Sequence, residues 1–443
     1  MNEPRIKIGI LSAKKIHFDL SGGYLIGGDG KPLKGDFTVE LENNEIILTR
    51  DNERRLFKDN LAFQPLVFEK SVFQLIDVVI GKGFHWERME NQRFSGTLKF
   101  IIENEEITAI NELPLGDYLI SVISSEMSPN SSLEFLKTHA IVSRSWLVSQ
   151  MNNRSSKKTT AKLKESAEGE RIKWYDREDH DNYDVCADDH CQRYQGITKV
   201  ISKTAQRAIE ATRGLVLKSE GEICDTRYSK CCGGLTENFE NVWEEKKHKY
   251  LTAISDYKFE DDDYDYDFSI EINARNWIMS NPNSFCNTTD EKILAQVLVD
   301  FDQETKDFYR WKVEFTQAEL SELINRKTGV DFGEIKDLLP VERGASARII
   351  KLKIVGTKNT LIIGKELEIR RSLSESHLYS SAFIVEKSNI ENDIPQKIVL
   401  HGSGWGHGVG LCQIGAAVMS EKGYSFDEIL FHYFKNSKIE KIY

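Results

Sequence analysis

One acidic residue, Glu126, stands at the end of a run of mostly apolar residues. The apolar residues of this run recur at helical spacing and share one face of a predicted helix: Leu115, Tyr118, Leu119, Val122 and Ile123. Continuing that face lands on Glu126, and Pro129 predicts that the helix ends beside it. A carboxyl group against an apolar wall can act as a general acid, because such a wall raises its pKa. The alternative is a structural ion pair, or a glutamate that extends to solvent from the helix end.

A second predicted helix follows directly and places Arg144 on its apolar face. The other residues of that face are Leu133, Leu136, Ala140 and Leu147. Two helices that meet at a corner are expected to bring the acid and the arginine inward. Arg144 would then hold the geometry or the charge near Glu126, either for catalysis or in a structural ion pair.

The densest group of metal-type residues lies between His180 and Cys191. His180, Cys186, His190 and Cys191 form a complete tetrahedral set for zinc, and a closed set of four is typical of a structural site. Their spacing is not that of the familiar pair of Cys-x-x-Cys knuckles, and His190 and Cys191 are adjacent. Unrelated buried thiols and surface histidines are therefore the alternative interpretation.

A glycine-rich stretch, 401–415, alternates glycine with other residues near the end of the chain. Glycine at alternate positions indicates that another group approaches this backbone closely. One interpretation is a substrate cleft lined by Trp405, His407 and Gln413, and the other is tight packing against the core. The stretch lacks the residues of a phosphate loop and of a dinucleotide-binding fingerprint.

Ser229 precedes the pair Cys231 and Cys232 and two glycines. It could be a nucleophile, but no Gly-x-Ser-x-Gly elbow surrounds it. The two cysteines are interpreted as buried thiols.

The whole chain has an ordinary globular composition with a formal net charge of −11. The negative charge and the lack of a basic stripe argue against nucleic acid as a partner. No stretch approaches the roughly 20 apolar residues of a membrane span, and the N-terminus has no apolar signal core. An odd number of cysteines, 7, fits thiols and metal better than a disulfide framework.

Together, these motifs resemble the stage II sporulation protein D and amidase-enhancer family, which acts on bacterial peptidoglycan. The matching stretches are Leu113–Leu119, Ser125–Met127, Leu136–Ser145, His180–Cys191, Gly233–Glu237 with Trp243, and Gly404–Gly415. Five residues differ from the usual family residues: His139 stands where a glutamine is usual, Cys412 where a serine is common, and Tyr228, Cys231 and Cys232 replace more typical residues before the glycine pair. These differences concern substrate detail more than the reaction.

The resemblance implies a lytic transglycosylase that cleaves the bond between N-acetylmuramic acid and N-acetylglucosamine in glycan strands stripped of their peptides. It places the role of catalytic acid on Glu126 and a zinc ion on His180, Cys186, His190 and Cys191. We expect substrate contacts from a second set of residues, which are Arg144, Ser229, Trp405, His407 and Gln413. Because peptidoglycan lies outside the cytoplasmic membrane, the resemblance implies action in the cell envelope, whereas the N-terminus leaves a cytoplasmic location open.

The same motifs are compatible with two other functions. The first is a non-catalytic glycan-binding module that enhances a partner cell-wall amidase, as the amidase-enhancer branch of the same family implies. The second is a zinc hydrolase that uses the His180–Cys191 group, and it requires an open coordination position.

The pattern of elements predicts an α+β fold with a β-rich N-terminal region, a mixed helical and β core, and an inserted smaller α+β domain. The expected boundaries are 1–98 for the β-rich region, 99–255 for the core with Glu126 and the metal group, 256–395 for the insertion, and 396–443 for the glycine-rich loop and helices that complete the core.

Overall fold

The computed structural model describes most of the chain, namely residues 3–27, 29–81, 87–128, 130–153, 163–166, 169–174, 180–188, 191–199, 202–259, 263–298 and 307–443. The chain divides into two compact units. Unit 1 comprises Met1–Leu136, Asp179–Leu215 and Lys441–Tyr443, and unit 2 comprises Lys137–Glu178 and Val216–Glu440.

The helices in chain order are α1 Leu115–Glu126, α2 Leu133–Asn153, α3 Lys203–Ala211, α4 Glu271–Met279, α5 Glu291–Val297, α6 Gln317–Thr328, α7 Glu366–Ser372, α8 Gln413–Glu421 and α9 Phe426–Tyr433. The strands are β1 Arg5–Ala13, β2 Lys15–Ile26, β3 Asp29–Glu42, β4 Glu45–Arg50, β5 Glu53–Phe57, β6 Asn60–Pro65, β7 Val72–Ile80, β8 Arg88–Ser95, β9 Thr97–Glu103, β10 Glu106–Pro114, β11 Leu163–Ser166, β12 Glu170–Lys173, β13 Val185–Cys186, β14 Leu215–Ser219, β15 Glu222–Ile223, β16 Tyr228–Ser229, β17 Arg310–Thr316, β18 Ile335–Arg343, β19 Ile349–Gly356, β20 Thr360–Gly364, β21 Phe383–Glu391, β22 Ile394–Ser403, β23 Leu411–Cys412 and β24 Lys438–Lys441.

Unit 1 is built on a sheet in which 11 strands are paired among the described residues. Its main path runs β13-β1-β10-β9-β6-β2-β3-β4-β5, and β7 pairs with β2 and β8. A turn at Asn43 and Asn44 joins β3 to β4, with φ of 50° and 62°. Two positive φ values are what a tight hairpin turn requires, and asparagine tolerates them well. Phe18, Phe63 and Phe100 pack ring against ring, with centroids 5.1 to 6.2 Å apart.

Helix α1 follows β10 and carries the predicted apolar face. Its buried residues include Leu115, Tyr118, Leu119, Val122 and Ile123, as the spacing predicts. Helix α3, also in unit 1, buries Ala205, Ala208 and Ile209 and is capped by the Ser202 side chain.

Unit 2 contains several smaller sheets. One has the order β11-β12-β20-β19-β18 and another the order β17-β22-β21. Helix α6 begins with a capping box, in which the side chains of Thr316 and Glu319 each bind the other's backbone amide. A large apolar cluster fills this part of the unit, and it includes residues of α6, β19, β22 and neighbouring elements: Leu320, Ile324, Ile349, Leu352, Ile354, Ile398 and Leu400.

The predicted α+β class with a β-rich N-terminal region is confirmed. Within the described ranges, no helix combines the length and the apolar character that crossing a membrane requires. None of the seven cysteines, all of which lie within the described residues, forms a disulfide.

Candidate functional site

Glu126 is the last residue of α1, where the buried face of the helix ends. The next residue, Met127, is extended, with φ of −124° and ψ of 154°. The Glu126 side chain is neither fully buried nor fully exposed. Its Oε1 accepts a hydrogen bond of 3.3 Å from the backbone N–H of Arg193. The carboxylate is thus fixed by a main-chain donor while solvent can still reach it. Pro129, which was predicted to end the helix, lies outside the described residues.

Three of the four predicted metal ligands come together in unit 1. The ligand atoms of His180, Cys186 and Cys191 all lie within 4.8 Å of one another. The distance from Cys191 Sγ to His180 Nε2 is 3.6 Å. One imidazole and two thiolates are a donor set that fits zinc, which is bound by sulfur and nitrogen ligands. His190, the fourth predicted ligand, lies outside the described residues.

The loop that carries these ligands is held on both sides. On one side, β13 runs parallel to β1, with Gly9 opposite Cys186. On the other side, the Tyr194 ring stacks on Tyr118 of α1 at a centroid distance of 5.2 Å. Gln192 accepts a 3.1 Å hydrogen bond from the Tyr118 hydroxyl. Since Arg193 lies between these two contacts, the loop sets the position of the amide that binds Glu126.

A cavity with about 630 Å³ of empty space, open to solvent, lies beside this loop in unit 1. Its lining includes Cys186, Arg193, Thr108 and Gln92. Gln92 is fully buried, and neither atom of its side-chain amide has a hydrogen-bond partner among the described residues. Buried amides are normally paired, so this cavity can accept a water or a polar ligand group. The sequence carries no pattern that singles out Gln92.

The glycine-rich stretch in unit 2 has left-handed backbone at four alternate positions. Gly404, Gly406, Gly408 and Gly410 have φ of 74°, 95°, 77° and 76°. At Gly408 a Cβ atom would lie 2.4 Å from Cζ of Arg348, so no larger residue fits there. The close approach predicted from the glycines is therefore made by the protein's own groups.

Two of the predicted substrate-binding residues, Trp405 and His407, are partly exposed on this stretch. Trp405 stacks on Phe308 with ring centroids 4.5 Å apart and also contacts Tyr379 at 4.6 Å. His407 packs edge-on against Trp243 at 5.2 Å. Such aromatic groups present flat apolar faces, to which the faces of sugar rings can pack.

The imidazole of His407 is enclosed enough to stay neutral at pH 7. Its Nδ1 accepts a 3.0 Å hydrogen bond from the backbone N–H of Val409. Desolvation, together with the charges of Arg227, Arg348 and Arg370, lowers the pKa of His407 to about 3. His407 also forms a hydrogen bond with the backbone of Tyr228, so it can present its ring face to a ligand but not a positive charge.

The three other predicted substrate-binding residues are buried in unit 2. Arg144 is 0% exposed, Gln413 is 2% exposed and Ser229 is 7% exposed. Ser229 lies in β16 opposite Cys412 of β23, and its hydroxyl has no hydrogen-bond partner among the described residues. Gln413 Nε2 lies 3.2 Å from His139 Nε2. The structure thus places Trp405, His407 and Gln413 on the glycine-rich stretch, and Ser229 in β16, the strand that pairs with β23 of that stretch. Trp405 and His407 are partly exposed, whereas Ser229 and Gln413 are buried.

The structural role of Glu237 was not predicted from the sequence, although Glu237 belongs to the motif Gly233–Glu237. Glu237 is buried, and its carboxylate accepts hydrogen bonds from the backbone N–H of Asn238, Ala345 and Ser346, and from the side chains of Asn241 and Ser346, at 2.6 to 3.1 Å. Arg348 continues this network through Ser346 Oγ and binds the carbonyl oxygen of Gly406. These hydrogen bonds hold the backbone of the glycine-rich stretch in place at Gly406.

His139 gives unit 2 a specific sensitivity to acid. Burial, with a smaller contribution from the charge of Lys230, lowers the pKa of His139 to about 3, against about 6.5 in an unfolded chain. Below pH 6.5 the unfolded chain binds a proton that the folded protein does not take up until about pH 3. Stability from this residue is therefore complete above pH 6.5 and falls as the pH falls through this window, by about 2 kcal/mol at pH 5.

We expect the substitution His139→Gln to remove this part of the acid sensitivity, because a glutamine amide can still bond to Gln413 but has no proton to gain. The measurement is the free energy of unfolding in urea at pH 7 and pH 5 for both proteins. The drop between the two pH values should be smaller in the variant by about 2 kcal/mol. Equal drops in both proteins would show that His139 is not responsible.

The comparisons with known proteins bear on the stretch that contains Glu126 and the metal-type loop. A family model described as Stage II sporulation protein matches residues 103–218. Residues 103–218 form a stage II sporulation protein domain. The family resemblance drawn from the sequence motifs is confirmed by this match. Within the domain lie Glu126, Arg144 and the metal-type residues from His180 to Cys191. A second model, for a domain of unknown function, matches residues 237–410.

Individual proteins similar to this chain are distant in sequence. An uncharacterized protein of Brachyspira hyodysenteriae is 22% identical over 431 residues, covering 95% of this chain and 90% of that protein. Stage II sporulation protein D of Bacillus amyloliquefaciens is 24% identical over 334 residues, covering 75% of this chain and 76% of that protein. The amidase enhancer of Bacillus subtilis is 23% identical over 255 residues, which are 54% of this chain but 33% of the enhancer.

Proposed function

We propose that this protein acts at the bacterial cell wall as a lytic transglycosylase of peptidoglycan glycan strands, with Glu126 as its general acid and base. The observation that carries the proposal is the placement of Glu126. Its side chain ends a buried apolar helix face, is only partly buried, and accepts a hydrogen bond from the backbone N–H of Arg193. The match to a stage II sporulation protein domain supports a role at the cell wall.

The reaction needs only one carboxyl group. Glu126 gives its proton to the glycosidic oxygen between N-acetylmuramic acid and N-acetylglucosamine, and the bond from that oxygen to the anomeric carbon breaks. The resulting carboxylate then takes the proton of the 6-hydroxyl of the same muramic acid residue, whose oxygen attacks the anomeric carbon. The products are a 1,6-anhydro end and a free hydroxyl, and Glu126 is protonated again. Because no external water is activated, the second carboxylate of ordinary glycosidases is unnecessary.

We also propose that His180, Cys186, His190 and Cys191 hold a zinc ion. The donor set of the three described ligands supports this assignment. A set of four protein ligands leaves no position for a water molecule, so the ion would stabilise the fold rather than take part in hydrolysis. In this role the four residues fix the loop that presents the backbone N–H of Arg193 to Glu126.

In unit 2, some of the proposed substrate-binding residues would contact the substrate directly, and others would act indirectly. Trp405 and His407 are partly exposed and would contact sugar rings or their acetamido groups. Arg144, Ser229 and Gln413 are buried and would act indirectly, by fixing the backbone that carries the exposed groups.

A second candidate function is a non-catalytic glycan-binding protein that enhances a cell-wall amidase. The stack of Trp405 on Phe308 favours it, because such a platform can bind sugars without any acid. The similarity to a protein named amidase enhancer also points in this direction.

Incubation of peptide-stripped glycan strands with the protein separates these two functions. The lytic function predicts short soluble fragments that accumulate with time, and slower release from strands that keep their peptides. The enhancer function predicts intact strands that sediment with the protein and a purified cell-wall amidase that works faster in its presence. Strands that are neither cut nor bound would contradict both functions.

A further inference from the structure

Four ionisable side chains that the proposed reaction does not use meet in the interior of unit 2. They are Cys232, Asp256, Cys286 and Cys412, called here the thiol cluster. Their ligand atoms all lie within 4.8 Å of one another, and all four residues are buried. The Sγ atoms of Cys232 and Cys286 are 3.6 Å apart. Two thiolates bound at 2.3 Å to a tetrahedral zinc ion lie about 3.8 Å apart, so the spacing suits a shared ion.

The ligand atoms of the thiol cluster also have the outer hydrogen bonds that metal sites use. The backbone N–H of Cys232 donates to Cys412 Sγ at 3.2 Å. The backbone N–H of Cys286 and the hydroxyl of Ser284 donate to Asp256 Oδ2 at 2.8 and 2.9 Å. The hydroxyl of Tyr433 donates to Asp256 Oδ1 at 2.5 Å. Such donors orient a ligand and lower the repulsion between neighbouring anions.

The backbone around the thiol cluster is shaped to admit the carboxylate. Helix α8 begins directly after Cys412, and its third residue is Gly415. A Cβ atom at Gly415 would lie 2.4 Å from Asp256 Oδ1 and 2.3 Å from the Tyr433 hydroxyl. Only glycine therefore leaves room for Asp256 at this point of the helix.

Burying three thiolates and a carboxylate together, away from water, costs free energy, because buried charges need a compensating partner. No ammonium or guanidinium group donates to these four side chains in the contacts described for the cluster. A divalent cation would supply the missing charge directly. Sulfur donors select zinc-class ions over magnesium or calcium, and a full set of four ligands is typical of a structural site.

We propose that Cys232, Asp256, Cys286 and Cys412 bind one structural zinc-class ion, separate from the site proposed in unit 1. Asp256 and Cys286 lie inside the domain of unknown function, whereas Cys232 and Cys412 lie just outside its two ends. The ion therefore joins that domain to Cys412 of β23, within the glycine-rich stretch, and to Cys232, which follows β16 in the chain.

The test is the metal content of full-length protein, measured after purification and again after exchange with Co²⁺. Three proteins are compared with the unsubstituted one: Cys286→Ser, Cys191→Ser in the unit 1 group, and Cys224→Ser as a control. Cys224 is buried in unit 2 but is not a member of the thiol cluster. We expect Cys286→Ser to bind one metal equivalent less than the unsubstituted protein. After exchange with Co²⁺, it should also lack the thiolate-to-cobalt absorption that the three cysteines of the thiol cluster provide. Cys224→Ser should keep both the metal content and the absorption. An unchanged metal content in Cys286→Ser would overturn the proposal.

A second measurement covers the case in which Cys286→Ser does not fold. X-ray absorption of zinc in the folded Cys191→Ser protein, whose thiol cluster is intact, should show a first shell of mainly sulfur with one oxygen. Absence of zinc from that protein, or a shell without sulfur, would overturn the proposal. So would a disulfide between Cys232 and Cys286 found by peptide mapping under non-reducing conditions.

Discussion

The substitution Glu126→Gln is expected to lower the rate of anhydro-end formation by about a hundredfold to ten-thousandfold, the range that a positioned general acid contributes. Glutamine has nearly the same shape and can still accept the hydrogen bond from the Arg193 amide. It has no proton to give to the glycosidic oxygen and cannot take one from the 6-hydroxyl. The loss should therefore appear in kcat, with the affinity for glycan strands retained.

Glu210→Gln is the matched control for this result. Glu210 lies in α3 of the same unit, and its side chain is exposed. The same change of charge there should leave the rate and the strand affinity unchanged. If Glu126→Gln cleaved strands as fast as the unsubstituted protein, Glu126 would not be the acid. If both variants lost activity equally, a general effect of charge would explain the loss.

Removal of a metal ligand in unit 1 is expected to have the second largest effect. Cys191→Ser should lower the zinc content by one equivalent and the cleavage rate by about tenfold to a hundredfold. The rate should fall because loss of the ion displaces the loop at Arg193. Arg193 follows Cys191 by two residues, and its backbone N–H holds the Glu126 carboxylate. The packing of Tyr194 on Tyr118 should keep the loop partly in place, so the loss should be smaller than that of Glu126→Gln.

Zinc content and cleavage rate are measured on the same preparations, with Cys224→Ser as the thiol control. A variant that has lost its zinc but keeps the full rate would show that the loop does not position Glu126. A variant with full zinc content would show that Cys191 is not a ligand. Cys191→Ser combined with Glu126→Gln should be no slower than Glu126→Gln alone, because both changes act through the same carboxylate.

Local patterns predicted those parts of the fold in which neighbouring residues decide the structure. The spacing of apolar residues predicted the buried face of α1 and the position of Glu126 at its end. The pair Asn43 and Asn44 is typical of a hairpin turn, and Thr316 with Glu319 is typical of a helix start, as the structure has them. In each case the interactions that decide the structure join residues only a few positions apart, so a local sequence pattern is enough to predict them.

The contacts that complete the candidate site depend on residues far apart in the chain, and no local pattern predicts them. The amide of Arg193 meets Glu126 across 67 positions. Cys232 meets Cys412 across 180 positions, so the sequence indicated only buried thiols where the structure shows a group of four donors. Glu237 reaches the turn at Ser346 across 109 positions. Such contacts follow from the whole packing of the chain.

The glycine-rich stretch shows why one sequence pattern can support two interpretations. Alternate glycines indicate close approach, but the approaching group can be a ligand or the protein itself. Here Arg348 fills the space at Gly408, while Trp405 and His407 stay partly exposed between the glycines. The same stretch therefore packs tightly and can still present side chains for binding.

The most direct test of the central claim is the chemical structure of the ends that the protein creates. Peptide-stripped glycan strands are digested in water enriched in heavy oxygen, and the fragments are weighed by mass spectrometry. Attack by the substrate's own 6-hydroxyl predicts anhydro ends that carry no heavy oxygen and are lighter by one water than hydrolysis products, and it predicts their loss with Glu126→Gln. Reducing ends that carry one heavy oxygen, or anhydro ends formed equally fast by Glu126→Gln, would contradict it.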